Sequence, residues 1–148
     1  MFCCKIKDPE KFAQWGLFIL RFVVGFIFVF HGAQKFALWG DAGGSMTANM
    51  LLLMKFTSIV EFVAGLALMA GVWARLAAAA LAVIMIGSIY FLQYVMNVGF
   101  STSTGAGWEY NLTLLAALVC LKLAGPGAFA CKSCCDKKKE QESQQKSA

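Results

Sequence analysis

Trp15-Gly-Leu-Phe-Ile-Leu-Arg21-Phe-Val-Val-Gly-Phe-Ile-Phe-Val-Phe-His31-Gly-Ala-Gln34-Lys35-Phe-Ala-Leu38 is the stretch on which the fold turns. As a helix it runs roughly 36 Å at about 1.5 Å per residue, enough to cross a bilayer with some tilt. A plain anchor needs only apolar residues, yet this run carries Arg21, His31, Gln34 and Lys35. Ionisable groups at membrane depth cost about 2.5–3.5 kcal/mol each on insertion scales, and they persist where they face a bundle interior, a partner or a water-filled cavity. The stretch therefore asks for other helices to cover its polar face.

The rest of the chain supplies them. Hydrophobic residues make up 59% of the 148 residues and charged residues only 14%. Soluble domains carry about 25% charge, so the composition reads as one compact integral membrane domain. Residues 50–71 read as a second span, with Lys55 near its start and Glu61 near its middle. Val72-Trp73-Ala74-Arg75 has room only for a tight turn between antiparallel helices. Residues 75–97 form the third span, alanine-rich at first and aromatic and polar at its far end. Small side chains of this kind let helices approach closely. Residues 108–124 form the fourth span, stopped by Gly125-Pro126-Gly127.

Glycine and serine mark residues 39–49 and 98–107 as loops. Residues 1–14 read as a polar arm in which Asp8 caps a helix start and Pro9 takes the first helical position. Residues 130–148 read as a disordered tail rich in Lys, Gln and Cys. The fold expected is an all-α membrane protein, an antiparallel bundle of four transmembrane helices.

Charge sets the orientation. Lys5, Lys7, Lys11, Arg75, Lys132 and Lys137 to Lys139 fall on one side; the other side has only Lys35 and Lys55. The positive-inside rule then puts both termini in the cytoplasm and the chain in the cytoplasmic membrane. The net charge of +5 accordingly points to anionic lipid headgroups in the bilayer rather than to nucleic acid. No secretory signal peptide is read, because the first apolar run is too long and contains Arg21.

Several polar residues are candidates for chemistry. His31 and Lys35 are one helical turn apart, with Gln34 on the adjacent edge. Counting depths puts Glu61 near mid-membrane, between the levels of Arg21 and His31. Gln93, Tyr94, Asn97, Glu109 and Tyr110 gather at the outer ends of the last two spans. The expectation is one pocket, open to the outer face, joining His31, Gln34, Lys35, Gln93, Asn97 and Glu109.

Glu61 has two readings: a buried structural ion pair with Arg21, or a carboxyl that handles protons. His31 is either a packed, hydrogen-bonded residue or, with Lys35, a donor to a quinone carbonyl or a small anion. In the second case Phe28, Phe36, Tyr94 and Trp108 would pack the ring, although aromatics at such positions also serve lipid contact. Lys35 and Lys55 could also simply extend to the headgroups. The Cys131-x-x-Cys134-Cys135 group and Cys3-Cys4 are read as free cytoplasmic thiols before a metal centre, because no histidine accompanies them. Cys120 reads as a small apolar packing residue.

Three segments carry a family resemblance. Leu20-Arg21 and Gly25 lead to His31-Gly32-Ala33-Gln34-Lys35-Phe36; Glu61 is followed by Gly65, Gly71 and Arg75; Gly105 to Tyr110 opens the fourth helix and Gly125-Pro126-Gly127 closes it. Together they resemble the DoxX family of small four-helix membrane proteins, over roughly residues 15–129. Asn111 departs from that pattern, as do the cysteine-bearing termini. The resemblance implies a membrane subunit of a redox system, quinone-linked and tied to sulfur or oxidative-stress chemistry. His31, Gln34, Lys35, Glu109 and Tyr94 would then bind the quinone, with His31 and Glu61 as the reacting groups. It also implies a soluble or membrane redox partner protein, because no flavin, haem, nucleotide or metal motif is visible in the chain. Assembly as a homo-oligomer stands beside that partner, while a small proton-coupled exporter with Glu61 at its centre and a non-catalytic scaffold or assembly factor stand as alternative functions.

Overall fold

The structure, a computed structural model, describes residues 9–37, 39, 48–102, 107–125 and 127–128. Helix α1 (Pro9–Ala37) is 29 residues long, about 43 Å. Proline opens it with a pre-set φ and no amide to leave unpaired, and Glu10 and Lys35 sit at the ends that the helix dipole favours. The helix begins at Pro9, the position read from sequence as its first, and runs through residues 10–14 into the span without a break; Asp8 lies outside the described residues.

Helix α2 (Ala48–Ala70) ends at Gly71, which takes the left-handed conformation at φ 73°. There Gly71 N–H donates to Leu68 O at 3.2 Å and Val72 N–H to Ala67 O at 3.0 Å, which satisfies carbonyls that the helix leaves open. Helix α3 (Ala74–Tyr90) follows at once and relaxes into one π-helical turn, Phe91–Val95. Met96 N–H closes that turn on Phe91 O, and Asn97 turns the chain aside at φ 51°. The third span expected over 75–97 thus stops two residues early. Helix α4 (Trp108–Ala124) has 17 residues, about 25 Å.

The described chain is all-helical, and its four helices form an antiparallel bundle. Helix α1 packs most extensively on α2 and α3 on α4; α2 with α3 and α1 with α4 complete the circuit. Helices α1, α2 and α3, the last with its π turn, are long and apolar enough to cross a membrane.

The core holds Val24, Phe28, Leu68, Leu81, Leu118 and Leu121. The outside is just as apolar: Phe22, Phe26, Phe30, Leu52, Val83, Ile86 and Leu123 all point outward. Exposed apolar area on this scale marks a surface built for lipid. Cys120 is on that outer surface, not among the packing residues as expected.

Backbone contact between α1 and α2 sets their register. A Cβ on Gly32 would meet Phe62 N and Ser58 O at 2.8 Å, and one on Gly25 would meet Gly65 O at 2.9 Å. Only glycine allows this approach. The crossing puts His31 level with Glu61. Arg21 lies about ten residues further along, roughly 15 Å away.

Candidate functional site

Among the described residues Glu61 is the most buried acidic group, 1% exposed on the face of α2 that meets α1. Its carboxylate is held by Lys35, whose Nζ donates to both oxygens at 2.7 Å. Lys35 keeps 28% of its side chain accessible. Its ammonium is therefore turned inward onto Glu61 rather than extended to the headgroups. The expected ion pair of Glu61 with Arg21 is replaced by this one. The cause is register: Lys35 is only about one turn above the level of Glu61, within reach of its four-carbon stem, whereas Arg21 is roughly 15 Å below.

Arg21 is itself fully buried, at the opposite end of the same helix face, with its guanidinium 5.4 Å from the Phe18 ring centre. Between the two buried charges the core is filled by Val24, Phe28, Ala64 and Leu68.

One turn before Lys35, His31 points toward α4 instead of α2. Its half-buried ring lies nearly parallel to Tyr110, 6.0 Å between centroids and 27° between planes. One turn of α1 thus sends a lysine to α2 and a histidine to α4. Above the ion pair Phe36 packs edge-on against Phe62 at 5.5 Å and Trp39 at 5.1 Å, and Lys55 Nζ lies 5.7 Å from the Trp39 ring. Ser58 is buried beside Gly32 and donates to Lys55 O at 2.8 Å.

The other sequence-based candidates do not converge here. Glu109 is turned to the preceding loop, where its carboxylate accepts from Ser101 Oγ at 3.0 Å. Phe100 packs edge-on against Trp108 at 4.6 Å and so holds that loop on the start of α4. Tyr94 is exposed and packs on Tyr90, 4.9 Å between ring centres. Gln93, Asn97 and Gln34 are exposed. Phe28 is sealed in the core at the level below. The terminal cysteines lie outside the described residues.

Two features were missed from sequence. Tyr110 was placed in the outer cluster but not against His31. Ser58 was not singled out at all. The signal was present for the second: Ser58 is three residues before Glu61, so the two share a face with the glycine-packed side of α2.

The DoxX family model matches residues 16–94. The chain belongs to the DoxX family. The match takes in Arg21, His31, Gln34, Lys35 and Glu61 and ends before α4, so the Tyr110 half of the ring pair lies beyond it. A relative in Haemophilus influenzae, described as an uncharacterized protein, is 31% identical over 131 residues, which is 85% of this chain and 93% of the relative. No solved structure matches this DoxX chain.

Proposed function

We propose that this DoxX protein is a quinone-binding membrane subunit of a redox system, seated in the cytoplasmic membrane with both termini in the cytoplasm. The observation that carries this reading is the single turn of α1 that presents His31 beside Tyr110 and Lys35 on Glu61. A quinone needs hydrogen-bond donors for its carbonyl oxygens and a flat apolar surface for its ring. The imidazole supplies a donor, the Tyr110 ring beside it supplies the surface, and Lys35 serves by holding Glu61 one turn away. Glu61 stands behind Lys35 as a group able to take up or return the proton that accompanies quinone reduction or oxidation. Electrons then pass to or from a redox partner protein that carries the redox centre.

The filled core between Arg21 and Glu61 favours this reading over proton-coupled export. A transported ion would have to pass Phe28 and Leu68, each nearly fully buried. A scaffold role is favoured by one feature, the complete burial of Glu61 in an ion pair that ties α1 to α2.

The deciding experiment is affinity purification from native membranes in mild detergent, with mass spectrometry of bound small molecules and co-purifying proteins. Stoichiometric quinone in the native protein and its loss in His31→Ala are expected. A well-folded protein that carries no quinone but retains a stable protein partner moves the chain to the scaffold class.

A further inference from the structure

The chain leaves the bundle at two points, and the fold sets them side by side. Past the end of α4, Gly125 at φ 98° and Gly127 at φ 73° turn the backbone onto the first turns of α1. A Cβ on Gly127 would meet Leu17 Cβ at 2.7 Å and Gln14 O at 2.8 Å, and Ala128 N–H donates to Gln14 O at 3.2 Å. Only glycine permits so close an approach at a positive φ. This strap pins Ala128 at Gln14, five residues from Pro9 where α1 begins, about 8 Å along the helix axis.

Cysteine-bearing segments run outward from both points. Cys4 is five residues before Pro9, Cys131 is three residues after Ala128, and Cys134 is three further on. The cysteines lie outside the described residues, but the anchors of their tethers are fixed. At about 3.6 Å per residue or less, Cys4 reaches up to about 18 Å from Pro9 and Cys131 up to about 11 Å from Ala128. That reach far exceeds the gap between the anchors. From sequence alone the two thiol groups have no reason to meet; the strap supplies one.

We infer that Cys3, Cys4, Cys131 and Cys134 hold one zinc ion, which clasps the two ends of the chain together at the Pro9 end of the bundle. Cys131 and Cys134 have the two-residue gap at which one ion is chelated by both thiolates, and the Cys3–Cys4 pair completes a tetrahedral set. A structural site of four thiolates takes no histidine. Four thiolates leave zinc with excess negative charge. Lys5, Lys7 and Lys132, each within three residues of a ligand, offset that charge and favour the thiolate form. The clasp stands independently of the quinone reading, because it lies at the opposite end of α1 from His31.

The test uses the full chain, purified in mild detergent under reducing conditions without chelators. Elemental analysis is expected to find about one zinc per chain. Cys3→Ser with Cys4→Ser, and separately Cys131→Ser with Cys134→Ser, should each lose it, whereas Cys120→Ser, on the outer surface of α4, should keep it. Exchange of zinc for Co²⁺ should add a thiolate-to-cobalt charge-transfer band that is absent from both double variants. On the native chain, maleimide labelling with peptide mapping should find the four ligand cysteines protected until a chelator is added. Lack of both zinc and a cobalt band in the native chain overturns the site, as does metal retained when either pair is removed. Mapped peptides in which these cysteines form a disulfide or carry an acyl chain overturn it too. About one zinc per two chains would place the ion between copies and overturn the clasp. If a double variant fails to fold, the protection map on the native chain decides the matter by itself.

Discussion

At the scale of single residues, the Lys35–Glu61 pair governs. A buried carboxylate that loses its partner costs about 3–5 kcal/mol, whereas removal of both charges together is often close to neutral. Lys35→Met should therefore lower thermal stability in detergent by that order. The double replacement Lys35→Met with Glu61→Met should recover most of it. A double variant no more stable than Lys35→Met alone would show that the carboxylate is not the source of the loss. Glu61→Gln keeps the shape and removes the charge, and should abolish activity while leaving the protein at its normal level in membranes. That Arg21, His31, Lys35 and Glu61 must be covered was legible from their presence in apolar runs. Which of them pair was not, because pairing depends on a vertical offset between helices that no single helix records.

At the scale of elements, the α1–α2 contact holds that offset. Gly25 and Gly32 are seven residues apart on α1, and Gly65 faces Gly25 from α2 with backbone against backbone. Gly32→Leu should force the helices apart, break the Lys35–Glu61 geometry and leave little folded protein on size exclusion. Gly16→Leu is the matching control. Nothing lies within 4 Å of a Cβ there, so it should fold normally. Helix positions were readable from the apolar runs because a membrane span needs about twenty such residues. The π turn at Phe91–Val95 was not, since Phe-Leu-Gln-Tyr-Val holds no glycine or proline to mark a change of helix type. Glu109 was misplaced for a related reason. Its position at the helix start was visible, but the loop that folds back so that Ser101 reaches it was not.

At the scale of the whole molecule, the two ends differ in charge. Lys11, Arg75 and Lys122 lie at one end, with Glu10 as the described acidic residue there; Lys35 and Lys55 lie at the other with Glu61 and Glu109. In a chain stripped of its native cysteines, Arg75→Cys should react with an impermeant maleimide only in inside-out vesicles. Reaction from outside intact cells would reverse the orientation. Helix α4 carries one more consequence. At about 25 Å it is shorter than a hydrocarbon core of about 30 Å, while α1 is longer than that core. A bilayer cannot match both, so the leaflets must pinch beside α4 and relax beside α1. The protein would then sit in a dimple of its own making, deepest beside α4.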